Sequence, residues 1–181
     1  MGATSGSTYV ASFGPNVIQP VAQDLIQVYP STNDNHNLII HSWRLTVQPL
    51  DKSGVSQDDR MNLQVVRRST LSTTGGAVGF LGTQFITPTP LQPKANNALT
   101  NVETNLNVLG TLDTVLECDN VSVMFPWSRT YREDQRIIVL PDDGVTVPSL
   151  PVCLYLAAPP STWYLMCGEV VFEELLSLIH I

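Results

Sequence analysis

The stretch from Asn37 to Gln48 reads NLIIHSWRLTVQ, and the character of its side chains alternates with a period of two. One set of alternate positions is the more apolar of the two, which is typical of a strand that packs one face on a core. That set consists of Ile39, His41, Trp43, Leu45 and Val47. The sequence therefore predicts a strand here, with these five side chains on the face that packs against the core.

The same period recurs along most of the chain. Arg60 to Arg68 alternates in the same way, and the polar, turn-rich residues 51–59 predict that the two runs are antiparallel strands joined by a protruding loop. Further strands are predicted over residues 120–127, 135–140, 151–158 and 163–174, and weaker strand candidates cover residues 9–13 and 22–29. No segment carries a sustained apolar stripe with a period of 3.6, the mark of a helix.

These observations predict an all-β fold: an antiparallel β-sandwich, jelly-roll-like, with about eight strands and one long crossing loop. The crossing loop falls on residues 70–100, which are rich in glycine and proline. Residues 21–175 are predicted to form a single β-sandwich domain, and residues 1–20 a flexible N-terminal arm. Residues 176–181, LSLIHI, resemble the translation of a sequencing adapter and are predicted to be a non-native tail.

Composition and charge exclude some classes of function. The formal net charge is −7, so nucleic acid is not expected as the main partner, because binding phosphates requires a basic surface. No apolar run approaches the ~18 residues of a membrane-spanning helix, so no membrane partner is expected. Three cysteines lie in apolar, strand-like runs, and buried thiols are the expectation for Cys118, Cys153 and Cys167.

The chain carries no recognisable catalytic constellation. It lacks the Gly-x-Ser-x-Gly motif, and His36 and His41 are the only histidines outside the tail. Glu169 and Glu173 share a strand face, where a solvated edge or an ion pair with Arg67 or Arg68 explains them better than catalysis does. We therefore expect no catalytic residues, no cofactor and no metal, and we expect that the protein is not an enzyme.

Two segments are candidates for an interface with another molecule. The glycine-rich connection holds apolar residues that either contact a neighbouring chain or fold back over one end of the sandwich. A second segment interleaves aromatic rings with arginines, a composition found at protein interfaces and in carbohydrate or nucleic-acid sites. The candidate interface residues are Phe80, Leu81, Phe85, Ile86, Trp127, Arg129, Tyr131 and Arg132.

The order of several short motifs resembles a known group of proteins. Residues 43–68 are followed by the glycine-rich stretch and the motif TPTPLQP at 87–93, and then by FPW at 125–127, LAAP at 156–159 and FEE at 172–174. Over about residues 20–175 the chain resembles small proteins of tailed-phage and prophage gene neighbourhoods. The resemblance implies a jelly-roll-like sandwich and a non-enzymatic, virion-associated role on the head surface.

The expected function is therefore that of a structural or interaction protein of a phage-like particle, of the capsid-associated or decoration type. Its expected partners are other copies of itself, in a homo-oligomer, and a capsid protein. The expected location is the virion, after synthesis in the host cytoplasm. The alternative is a carbohydrate- or receptor-binding β-sandwich module that uses Trp127, Arg129, Tyr131 and Trp163.

Overall fold

The computed structural model describes residues 7–30, 36–50, 59–72, 76–78, 80–82, 100–104, 106, 110–139 and 150–176. These residues form twelve strands and one short 3-10 helix, and no α-helix occurs among them. The strands are β1 (Ser7–Ile18), β2 (Gln23–Pro30), β3 (His36–Pro49), β4 (Arg60–Arg68), β5 (Gly76–Ala77), β6 (Phe80–Gly82), β7 (Thr100–Thr104), β8 (Leu112–Ser122), β9 (Trp127–Thr130), β10 (Ile137–Val139), β11 (Val152–Ala158) and β12 (Tyr164–Leu176), and the 3-10 helix covers Glu133–Gln135.

The strands form two antiparallel sheets. Sheet A has the order β6-β1-β12-β3, and β9 and β10 pair with different parts of the remaining edge of β3. Sheet B has the order β5-β7-β2-β11-β4-β8. Eight principal strands remain if β9 and β10 are counted as one interrupted strand and the short β5, β6 and β7 are set aside. The chain crosses from one sheet to the other at most of the connections between these eight strands. This is jelly-roll connectivity, and it confirms the predicted all-β sandwich.

The connection between β4 and β8 visits both sheets. Its strand β6 pairs with β1 in sheet A, whereas β7 pairs with β2 in sheet B and β5 pairs with β7. The predicted crossing connection is therefore present. Its described parts are short strands that widen both sheets on the same side of the sandwich.

The predicted pairing of β3 with β4 is wrong. β3 lies between β12 and the β9/β10 edge in sheet A, whereas β4 lies between β11 and β8 in sheet B. Alternation within a strand indicates which side chains share a face, but not which strand is the neighbour. A polar loop after β3 is compatible with a hairpin and equally with a crossing to the other sheet.

A β-bulge in β3 reverses the facing pattern that the sequence predicts for its first half. The consecutive residues Val171 and Phe172 of β12 lie opposite Ser42 and Ile40, so His41 is the extra residue of the bulge. The side chains of β3 that belong to the core cluster are Leu38, Ile40, Trp43, Leu45 and Val47. The interior placement is confirmed for the last three and wrong for Ile39 and His41, which are only half-buried.

The β-sandwich begins earlier in the chain than the predicted boundary at residue 21. Residues 7–18 form β1, which lies between β12 and β6, so the prediction of a flexible arm over residues 1–20 is wrong for this part. Residues 1–6 lie outside the described part of the chain. At the other end Leu176 pairs with His36 as the last residue of β12, and residues 177–181 lie outside the described part.

The core lies between the two sheets. Its largest fully buried side chains include Trp43, Tyr164 and Phe172 of sheet A, with Met61, Leu63 and Leu154 of sheet B among the side chains on the opposite wall. Gly168 of β12 pairs with Phe13 of β1, and a Cβ atom at Gly168 would lie only 2.6 Å from Cζ of the Phe13 ring. The ring therefore occupies the space that any other residue at position 168 would need for its side chain.

Candidate functional site

The aromatic and arginine side chains of β9 bridge the two sheets. Trp127 is buried, with 9% of its surface exposed, and its indole N–H donates a hydrogen bond to the Asp119 carboxylate of β8 over 3.0 Å. β9 is part of sheet A and β8 is the outer strand of sheet B. The bond therefore connects the two sheets at the edge of the sandwich where β8 faces β9 and β10. We call this edge the open side.

Two further side chains reinforce this connection through one carboxylate. Glu117 of β8 accepts a hydrogen bond from the Tyr131 hydroxyl at 3.3 Å, and its other contact is an ion pair with Arg129 at 2.9 Å. Burial, followed by the Glu117 charge, raises the pKa of Tyr131 well above its ordinary value. The hydrogen bond with Glu117 is the main reason that the pKa of Arg129 is also raised. Tyr131 is therefore a neutral donor at all physiological pH values.

The candidate interface residues thus occupy different environments. Trp127 and Tyr131 are buried, so neither ring offers a face for stacking, while Arg129 and Arg132 are exposed. The backbones of Phe80 and Leu81 pair with Ala11 and Val10 of β1, which places them at the opposite edge of sheet A from β9. Phe85 and Ile86 lie outside the described residues. The described parts of the two predicted segments, Phe80–Leu81 and residues 127–132, are therefore not brought together.

A different set of apolar residues converges at one end of the sandwich. The strand registers place four connections there: residues 19–22, the segment at Leu50 and Asp59, residues 123–126 and residues 159–163. Each of them exposes at least one large apolar side chain. These side chains are Val21, Leu50, Met124, Phe125 and Trp163, with exposed fractions of 49%, 47%, 51%, 70% and 47%. We call these five residues the loop surface.

The loop surface stands out because scattered exposed apolar residues are normal, whereas clusters of them mark contact sites. Half of the large apolar side chains that are exposed in the described ranges belong to it. Its loops also touch one another: the Leu50 amide donates to the Trp163 carbonyl over 3.1 Å, and the Val123 amide donates to the Asp59 carbonyl over 3.2 Å. These backbone hydrogen bonds connect three of the four loops to one another.

Asp59 fastens two of these loops. Its Oδ2 accepts hydrogen bonds from the Tyr164 hydroxyl at 2.6 Å, the Ser161 hydroxyl at 2.7 Å and the Ser161 amide at 3.2 Å. Partial burial acts to raise the pKa of Asp59, but these bonds, with one from the Arg60 amide, lower it below its ordinary value. Burial and the bond to Asp59 raise the pKa of Tyr164 to about 12. We call Asp59, Ser161 and Tyr164 the Asp59 cluster. Its hydrogen bonds hold the loops at Asp59 and at residues 159–163 in place beneath the loop surface.

The acidic residues on β12 have partners that the sequence did not predict. Glu169 forms an ion pair with Arg44 at 3.0 Å, and Glu173 contacts Nε2 of His41 at 3.0 Å. The expected pairing with Arg67 or Arg68 is therefore wrong. The reason is topological, because β12 pairs with β3 in sheet A while both predicted arginines lie on β4 of sheet B.

The remaining reactive side chains do not form a site in the described ranges. Cys153 is buried, and its burial raises the pKa of the thiol well above its ordinary value. Cys118 and Cys167 are exposed, so the expectation of burial is wrong for these two. No three His, Cys, Asp or Glu side chains of the described residues converge as a metal site would require. Among the same residues no helix is long and apolar enough to cross a bilayer.

Comparison with other proteins returned no match: no family model fits the chain, and no curated protein or solved structure is significantly similar. The resemblance to proteins of phage gene neighbourhoods accordingly stays a prediction.

Proposed function

We propose that the protein is a non-enzymatic structural or interaction protein of a phage-like virion. In this proposal it is a capsid-associated or decoration protein that binds copies of itself or a capsid protein through the loop surface. The single observation that carries the proposal is the convergence of five exposed apolar side chains from four loops at one end of a jelly roll. The assignment to a virion rests on the sequence resemblance.

The chemistry of the loop surface favours a protein partner. Large apolar and aromatic side chains dominate the buried centres of protein interfaces, where charged residues are depleted. Phe125 and Trp163 are the most suitable anchors because aromatic rings contribute much contact area for little conformational entropy. The Asp59 cluster holds the loops in place before binding, which lowers the entropic cost of association.

The same end of the molecule supports a second candidate function. Phe125 and Trp163 are exposed rings, and aromatic faces bind the apolar faces of sugars, so a carbohydrate- or receptor-binding module is the alternative. This version replaces Trp127 and Tyr131 with Phe125, since both of the former are buried. Saturable binding on a glycan array, lost in Trp163→Ala, would favour it over assembly.

The proposal is tested by multi-angle light scattering over a range of concentrations, together with co-sedimentation with capsids of the phage or prophage that carries the gene. We expect oligomers or capsid-bound protein for the wild type, and loss of both in the double variant Phe125→Ser, Trp163→Ser. The matched control is Leu71→Ser, which removes an apolar side chain of 44% exposure beyond the end of β4, at the other end of the sandwich. A strict monomer that does not bind capsids would contradict the proposal.

A further inference from the structure

A groove of about 580 Å³ runs along the open side of the sandwich, between β8 of sheet B and β10 of sheet A. Two arginines line it: Arg67 belongs to β4 of sheet B, and Arg136 immediately precedes β10 of sheet A. Leu116 and Ile138 supply apolar walls. The groove shares no residue with the loop surface.

The two guanidinium groups hold donors that the protein does not use. Nη2 of Arg67 donates to the Ile138 carbonyl over 2.9 Å, but Nε of Arg67 is shielded from solvent and makes no hydrogen bond. Nε of Arg136 is in the same state. Shielded donors without an acceptor are rare because they cost free energy, and finding two of them beside one groove calls for an explanation.

The described residues that line the groove carry more positive than negative charge, although the whole chain is acidic. Among the described residues that line it, Glu117 is the only acidic one, and its carboxylate already accepts from Arg129 and Tyr131. The Glu117 carboxylate is therefore engaged by residues other than Arg67 and Arg136. In a protein with a formal net charge of −7, two such arginines in one groove favour an anionic ligand.

The walls of the groove indicate what accompanies the anionic group. Leu116 is the extra residue of a β-bulge in β8, where Val65 and Val66 lie opposite Glu117 and Val115. The exposed fractions of Leu116 and Ile138 are 36% and 47%, which leaves apolar surface next to the arginines. Glu117 beside the site also favours a singly charged group over a dianion such as phosphate.

We propose that this groove binds an organic carboxylate, with the carboxylate on Arg67 and Arg136 and an adjacent apolar group on Leu116 and Ile138. The carboxylate has two possible sources, a free alkyl carboxylate or the C-terminus of a polypeptide that ends in an apolar residue. The chemistry recognised is the same in both.

Isothermal titration calorimetry of the full chain tests the proposal with five probes: hexanoate, hexanol, inorganic phosphate, a pentapeptide ending in leucine, and the amide of that peptide. We expect hexanoate or the free-acid peptide to bind saturably, and hexanol, phosphate and the peptide amide to bind at least tenfold more weakly. The tighter of the two carboxylates identifies the source. No saturable carboxylate binding, or binding of phosphate as tight as that of hexanoate, would overturn the proposal.

Variants locate the binding in the groove. Arg136→Gln removes the charge but keeps a polar side chain that can donate a hydrogen bond, and we expect at least a tenfold loss of carboxylate affinity. Arg132→Gln is the matched control, since this exposed arginine lies four residues earlier and does not line the groove. Equal affinities in the two variants would place the binding elsewhere. Circular dichroism and melting of each variant show that the fold is retained.

Discussion

Asp24 and Arg68 form an ion pair of 2.6 Å that is almost completely shielded from solvent, with 0% and 3% of their side chains exposed. They lie on β2 and β4, which are not neighbours, and the guanidinium crosses the intervening β11 at 4.6 Å from the centre of the Tyr155 ring. The Ser72 hydroxyl donates to the same carboxylate and accepts from the Gly110 amide over 3.0 Å. The pair thus anchors both ends of the connection between β4 and β8 to sheet B.

Removing one member of this pair should destabilise the protein strongly. Arg68→Met leaves the Asp24 carboxylate buried without its counter-charge, and we expect a loss of about 3–5 kcal/mol in the free energy of unfolding. The control is Arg44→Met, since the Arg44 side chain that pairs with Glu169 is 68% exposed and the loss should stay below about 1 kcal/mol. Urea denaturation measures both. Equal losses would show that the buried pair has no special structural role.

The close contact between Gly168 and Phe13 makes a second prediction. A methyl group at position 168 would meet the Phe13 ring and the Arg44 carbonyl, so Gly168→Ala should cost about 1–3 kcal/mol of stability. Gly76→Ala is the matched control, because the nearest atom to its new Cβ is the Thr104 carbonyl oxygen at 4.0 Å. Thermal melting compares the two variants. If Gly168→Ala and the wild type have the same melting temperature, the described packing of β1 on β12 is wrong.

The sequence predicted the strands far better than their arrangement. Period-two alternation follows from the geometry of a single strand, so it is visible locally in residues such as Trp43, Leu45 and Val47. The bulge at His41 was not predicted because Leu38, Ile39 and Ile40 are all apolar. A shift of one position in which side chains face the core leaves the alternation of apolar residues unchanged there. The neighbours of β3 and β4 depend on contacts between distant parts of the chain, which alternation does not encode.

The Asp59 cluster predicts a particular dependence of stability on pH. Since hydrogen bonds lower the folded-state pKa of Asp59, its contribution is present above the ordinary carboxyl pKa and is lost as the pH falls through the lowered value. The pKa of Tyr164 is raised to about 12, so its contribution is complete below its ordinary value near 10 and is lost as the pH rises towards 12.

Two variants separate these limbs. Asp59→Asn should flatten the acid limb of the stability profile, and Tyr164→Phe should flatten the alkaline limb. Glu133→Gln, at an exposed residue of the 3-10 helix, is the control and should change neither. Urea midpoints between pH 3 and pH 11 provide the profile. An acid limb that survives in Asp59→Asn would mean that another carboxylate is responsible.

The candidate site was predicted only in part, for a physical reason. Aromatic residues and arginines in 127–132 suggested a surface, but their partners Glu117 and Asp119 lie on β8 of the other sheet, and pairing with them is a tertiary property. Of the loop surface, only Trp163 was named in advance, for the carbohydrate- or receptor-binding alternative, because the members come from four separate loops. Phe125 and Trp163 are visible in the sequence as large apolar residues near the turn-forming residues Pro126 and Pro160, and only the fold brings them to the same end.

The claim that the loop surface is covered on assembly is tested most directly by acrylamide quenching of tryptophan fluorescence. Trp43 and Trp127 are buried, whereas Trp163 is 47% exposed, so the quenchable emission of the dilute monomer should disappear in Trp163→Phe. We predict that Trp163 becomes protected from acrylamide when the wild-type protein assembles with itself or on capsids. A Trp163 that is quenched equally in the free and the assembled protein would contradict the account.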